Sequence, residues 1–180
     1  MNREDVSKIV REARDRGEAP TLYEADLSGA DLTGADLYGA DLYEADLHKA
    51  NLSGADLTKA DLRWADLYEA NLHKANLTKA DLRWAKLTRA DWDGFCVDGI
   101  HPYRCLLVPT PDGWTVTIGC WSGTVAELRA LISHDDGWPE AIGDQIAQRR
   151  PPLAAFCDLC DAHIAAHSGV IDDLAARWSA

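Results

Sequence analysis

Cys157, Cys160, His163 and His167 are the residues of this 180-residue chain whose types and spacing best suit chemistry. Thiolates and imidazoles are zinc ligands, and on a helix these four positions share an arc of about 120°. A single helix rarely wraps four ligands around a tetrahedral ion, because finger sites put a turn between the two pairs. The expectation is therefore buried thiols behaving as small apolar side chains, with no metal and no cofactor. A zinc-binding C-terminal domain built on those four residues is the alternative. His134-Asp135-Asp136 sets acids beside an imidazole, but in a polar loop that adjacency is ordinary. There is no Gly-x-Ser-x-Gly elbow and no phosphate-binding glycine loop, so no catalytic residue is assigned and an enzyme is not expected.

Most of the chain is built on something plainer than a site. Fourteen leucines fall at every fifth position from Leu22 to Leu87, and Trp92 and Val97 continue the phase. From Ala25 to Ala90 an alanine stands two residues before each of these positions, with Asp or Asn usually between, as in Ala60-Asp61-Leu62-Arg63-Trp64. A period of five fits neither a helix, where each step advances about 500°, nor one straight strand, where alternate leucines would change face. A bend in every unit resolves this. Ala and Leu then point inward from a short extended stretch, Asp or Asn points out, and two variable residues turn the corner. Four bends of about 90° close a square coil of about twenty residues, stacked at about 4.8 Å per layer. Burial of the leucines, at roughly 1.5–3 kcal/mol each, drives the stacking and leaves no interior channel.

These units resemble the pentapeptide-repeat family, whose motif is Ala-(Asp/Asn)-Leu-x-x. The match is close over residues 20–94 and looser over Phe95-Cys96-Val97-Asp98-Gly99. The resemblance implies a right-handed quadrilateral β-helix, here of about four coils, and so a mainly β solenoid. Residues 1–19 are expected to be an N-terminal capping helix, 20–99 the β-helix, and 100–180 a C-terminal α+β cap domain made of a hairpin plus helices.

Residues 2–16 carry Val6, Ile9, Val10 and Ala13 at helical spacing, with Asn2 as N-cap and Gly17 as terminator. After Gly99 the period vanishes. Tyr103–Val108 and Trp114–Cys120 read as strands around Pro109-Thr110-Pro111-Asp112-Gly113. Thr124-Val125-Ala126-Glu127 is a capping box that opens a helix with Val125, Leu128, Leu131 and Ile132 on its apolar side. Pro139 should start a helix over 139–149, Pro151-Pro152 should break it before a helix over 153–167, and a last helix should span 170–178. Gly119-Cys120-Trp121 followed by a capped helix resembles terminal domains behind repeat stretches in bacterial and phage proteins, which implies no activity. This domain is expected to cover the final coil.

A four-unit coil makes neighbours of residues twenty apart. Tyr23, Tyr43, Arg63 and Arg83 should form one outward column, and Glu24, Glu44, Trp64 and Trp84 the next. Trp and Arg are enriched at binding hot spots, so Arg63, Trp64, Arg83 and Trp84 are the candidate protein-binding residues. Mutual stacking is the plainer reading of the same four.

The resemblance brings a second function, because some pentapeptide-repeat proteins imitate duplex DNA and bind type II topoisomerases such as gyrase. An acidic patch on Asp41, Asp61 and Asp81 is the place for it here. The net charge of −12 divides as zero over residues 1–19, −6 over 20–94 and −6 over 95–180. Spread over about 18 Å of coil, −6 gives one charge per about 3 Å, roughly half the density of DNA. A non-enzymatic scaffold with a protein partner is therefore preferred to the mimic.

The acidic balance argues against direct nucleic-acid binding and against a membrane surface. No apolar run approaches membrane length, and the N-terminus is charged from Arg3. Five cysteines without framework spacing point to a reducing cytoplasm, so Cys105 and Cys120 across the hairpin are expected to stay unbridged. A homodimer through the C-terminal domain is left open.

Overall fold

Parallel backbone bridges join residues twenty apart, from Thr21–Asp41 and Asp26–Asp46 up to Asn71–Asp91. The structure, a computed structural model, describes residues 1–99, 102–136, 138 and 143–178. By its contacts the chain divides into two units, one of Met1–Asp93 with the chain end from Asp173, the other of Gly94–Asp172.

In the first unit each layer satisfies the next. Leu42 N–H donates to the Asp61 carbonyl at 2.8 Å, Glu44 N–H to Arg63 at 3.0 Å, and Asp61 N–H to Ala40 at 2.9 Å. Each corner is a four-residue turn from Leu to the next Ala, closed by a bond such as Ala45 N–H to the Leu42 carbonyl at 3.1 Å. The third residue of the turn has positive φ at every corner from Glu24 to Arg89. The leucines from Leu27 to Leu67 have no solvent exposure at all. Packing to this density leaves the coil's outside as the surface available for contact.

Helix α1 (Arg3–Asp15) has a capping box in which Asn2 and Asp5 each accept the other's amide at 3.0 Å. It ends where Gly17, at φ 69°, lets two amides reach back to Arg14 and Ala13. Val6, Val10 and Ala13 are buried. Its ends are tied to the first coil by the Met1 ammonium on the Asp26 carbonyl (2.8 Å) and by Arg14 on the Tyr38 carbonyl (2.6 Å).

The second unit holds a four-stranded antiparallel sheet in sequence order, β1 (Phe95–Val97), β2 (Cys105–Thr110), β3 (Gly113–Ile118) and β4 (Trp121–Gly123). Phe95-Cys96-Val97 keeps the repeat's phase but is not a further coil unit. It pairs with Leu107, Leu106 and Cys105 instead, and by its contacts it belongs to the unit that begins at Gly94. β2 runs through Pro109 to Thr110, so the hairpin turn shrinks to Pro111-Asp112. The proline is tolerated because β1 reaches only as far as Leu107, which leaves the missing N–H of Pro109 on an open edge. β3 stops at Ile118 rather than Cys120, and the chain reverses into β4 with Ile118 opposite Trp121.

Helix α2 (Val125–Ser133) is opened by the expected box, with Thr124 N–H donating to Glu127 at 2.6 Å. Helix α3 spans Asp144–Ala166 without a break, which corrects the expected stop at Pro151-Pro152. The two prolines withhold N–H groups from the carbonyls of Ala147 and Gln148, residues that are solvent-exposed, so water can serve instead. Burial of Ile146, Leu153, Phe156, Cys157 and Cys160 along one helix offsets what the prolines cost. The expected start at Pro139 lies outside the described residues. From Leu153 to Cys160 the buried side of α3 packs with Leu107, Val116, Ile118, Leu128 and Ile132 as the unit's core. Helix α4 (Val170–Trp178) follows, and from Asp173 it groups with the coil. Among the described residues no helix is long and apolar enough to cross a membrane.

Candidate interaction face

The corner after Leu62 and Leu82 places Trp64 and Trp84 one layer apart. Their rings stack at 5.5 Å with an interplanar angle of 17°, yet they remain 52% and 48% exposed. Both hold positive φ, 63° and 65°, a conformation that costs a bulky L-residue about 1–2 kcal/mol. The coil holds the indoles outward at corners where glycine would be easier.

Beside them, Arg63 and Arg83 are clamped. Each guanidinium donates through Nε and Nη2 to the carboxylate two residues earlier, Arg63 to Asp61 and Arg83 to Asp81, with the shortest contact 2.5 Å in each pair. Arg63 Nε also lies 3.7 Å from Asp81, and its guanidinium sits 5.2 Å over the Tyr43 ring, which itself stacks on Tyr23 at 5.7 Å. Arginines fixed in this way have little further freedom to lose on binding.

The bridges place Asp41, Asp61 and Asp81 in one column. Two of its three carboxylates are engaged by the arginines, so these five charges sum to −1. A second aromatic ladder, missed from sequence, lies four residues further along the same layers. His48 stacks on Tyr68 at 5.3 Å, and Arg89 lies 5.9 Å over the Tyr68 ring and donates to its hydroxyl at 3.0 Å. The twenty-residue offset between His48 and Tyr68 is the signal that could have found it. Asp66, engaged by Lys86 at 2.8 Å, lies between the two ladders.

The weak metal candidates do not converge. Cys157 and Cys160 are fully buried in the core, while His163 stacks on His167 at 3.9 Å and meets Trp114 edge-on at 5.4 Å. Among the described residues no three His, Cys, Asp or Glu side chains form a group suited to a metal ion. Burial pushes the Cys160 thiol up to about 12, and Cys105 likewise, which opposes the thiolate that a metal or a nucleophile needs. Cys120 is exposed and Cys105 buried.

The family model for pentapeptide repeats matches residues 22–58 and 55–91, in eight copies. A pentapeptide repeat protein from Nostoc PCC 7120 is 40% identical, over 47% of this chain and 73% of that one. The chain belongs to the pentapeptide-repeat family. The TM-score to that crystal structure is 0.41. HetL, a pentapeptide repeat protein from Nostoc sp. strain PCC 7120 involved in heterocyst differentiation regulation, is 44% identical over 39% of this chain, with a TM-score of 0.23. The chain spans only 35% of HetL. A third relative, from the cyanobacterium Cyanothece, is 34% identical over 41% of this chain and 60% of its own, with a TM-score of 0.27. No curated protein matches the chain. Pentapeptide-repeat proteins are in general interaction or regulatory scaffolds without enzymatic activity.

Within this pentapeptide-repeat coil the Asp or Asn of each unit from Asp26 to Asp81 has a structural task. Its Oδ1 accepts the amide two residues on, as in Tyr43 to Asp41 (3.1 Å), Ser53 to Asn51 (3.1 Å) and Thr78 to Asn76 (3.1 Å). Both residue types supply that oxygen, which explains their interchange. Some of these carboxyls are held below the usual range, Asp26 and Asp31 by the Ser28 and Thr33 hydroxyls and then by their amides, Asp61 by the Arg63 guanidinium. A lowered carboxylate contributes stability above its ordinary pKa, and that contribution is lost as pH falls through the folded value. The melting temperature should therefore hold from about pH 8 to about pH 5 and drop below about pH 4. Asp61→Asn keeps the amide bond but loses the arginine clamp, so its acid loss should be shallower than wild type in circular dichroism melts. A drop centred near pH 6 in wild type would contradict the carboxylate origin.

Proposed function

We propose that this pentapeptide-repeat protein is a non-enzymatic scaffold whose Arg63–Trp64–Arg83–Trp84 face, flanked by Tyr43 and Tyr68, docks a protein partner. The observation that carries the reading is the half-exposed indole stack, held at strained corners next to arginines already fixed by carboxylates. Rigid aromatics and preorganised guanidiniums lose little entropy on binding, which is why such groups dominate interface energies. The DNA-mimic reading is less well supported, since Arg63 and Arg83 lie on the acids that would imitate phosphates.

The test is the full-length double variant Trp64→Gly/Trp84→Gly. Glycine is at ease at positive φ, so the coil should stay folded or gain stability. With each hot-spot truncation costing about 2 kcal/mol, partner affinity should fall by about 1,000-fold if the two losses add, and by at least about 30-fold if the stacked pair acts as one. Proteins captured from source-cell lysate by wild type and lost by the variant support the face. An unchanged set of captured proteins discards it.

A further inference from the structure

The corner two units further round the coil from the indoles is built differently. Its third-of-turn residues are Gly34, Gly54 and Lys74, whereas the indole column carries a side chain in every layer from Glu24 to Trp84. Two successive layers are therefore bare backbone, and among the described residues the Gly54 and Lys74 carbonyls are not taken by the coil's own amides. The end of α4 lies on this corner. Arg177 Nη2 donates to the Gly54 carbonyl at 3.0 Å, Trp178 Nε1 to the Lys74 carbonyl at 3.4 Å, and Asp173 meets Lys74 at 3.4 Å. Leu174 is buried, and the Arg177 guanidinium lies 5.5 Å from the Trp178 ring centre. Asp173, Leu174, Arg177 and Trp178 follow helical one-face spacing, so one side of the helix makes every one of these contacts. A Cβ at Gly54 would meet the guanidinium end of the Arg177 side chain, which would have to shift away from the Gly54 carbonyl.

We propose that residues Asp173–Trp178 are a detachable clasp, and that the Gly34–Gly54–Lys74 corner takes the same segment from a second copy of this chain. Among the described residues the segment is joined to this corner by two side-chain hydrogen bonds and one solvent-exposed ion pair, with Leu174 buried and Trp178 half-buried, and polar contacts of this kind at a chain end open locally. A second copy offers identical groups to the same carbonyls, so exchange between copies needs no new contact, only the entropy of association. Gly169, with open space at its Cβ position, lies in the turn immediately before α4. This surface and the indole face are separate, so either can fail without the other.

Two full-length variants test the exchange. Gly54→Lys fills the corner with a residue the coil already accepts at positive φ at Lys49, Lys59, Lys74 and Lys79. Arg177→Ala/Trp178→Ala removes the clasp and leaves the corner open. Mixed together, the first supplies a free clasp and the second an empty corner. Analytical ultracentrifugation should show a 1:1 complex that neither variant forms alone, and adding Gly54→Lys to the clasp-less variant should abolish it. A fluorescent peptide of residues 170–178 should bind the clasp-less variant at least about tenfold more tightly than wild type, whose corner is occupied. A mixture with no new species, or peptide binding that Gly54→Lys leaves unchanged, would overturn the proposal.

Discussion

Leu57→Ala should lower the unfolding free energy by about 3–5 kcal/mol, in the range of large-to-small changes at sites that cannot collapse. Leu57 has no exposed surface, and the leucines one layer below and above, Leu37 and Leu77, are 0% and 3% exposed. The backbone around it is fixed on both sides by interlayer bonds, such as Leu37 N–H to the Asp56 carbonyl at 2.8 Å and Leu57 N–H to the Asn76 carbonyl at 2.9 Å. With the walls held in this way, the cavity stays open and its cost is felt in full. Leu87, in the last layer and 5% exposed, should cost less when truncated, because fewer atoms surround it and water can reach the gap. Urea unfolding followed by circular dichroism gives both values. A cost under about 1 kcal/mol at Leu57 would mean that the leucines do not share a packed interior.

The coil is legible in the sequence because one residue type repeats at an interval that only a once-per-unit bend can reconcile with burial. Its corners are less so. Gly29, Gly34, Gly39 and Gly54 mark the positive-φ position, but Trp64, Trp84 and several lysines occupy the same place and conceal it. The task of the Asp/Asn column is also within reach, since Glu never replaces Asp there and its oxygen would sit one carbon too far from the amide. The indole stack follows from twenty-residue spacing. The arginine clamps do not, because that spacing sorts Asp61 and Arg63 into separate columns although residues two apart on an extended stretch share a side.

What stays hidden depends on contacts distant in sequence. Phe95-Cys96-Val97 keeps the repeat's rhythm, and only its pairing with Cys105–Leu107 takes it out of the coil. Pro151-Pro152 reads locally as a helix break, and the burial of Phe156, Cys157 and Cys160 that favours one long helix is a property of the assembled core. The return of Asp173–Trp178 to the coil likewise joins Arg177 to Gly54 across 123 residues, beyond any local pattern.

A pair of deletions tests whether successive layers stack with a repeat of twenty residues. Removing residues 40–59 takes out one whole layer and keeps every remaining leucine, every remaining Asp/Asn and the indole column in phase, so the shortened chain should melt cooperatively and remain β-rich. Removing Lys59 alone shifts each later leucine off its inward position and should destroy the cooperative transition of the coil, although far more of the chain is retained. Thermal melts by circular dichroism compare the two directly. The twenty-residue deletion should be folded and the single-residue deletion unfolded. The reverse order, or equal tolerance of both, would mean that the layers do not repeat every twenty residues.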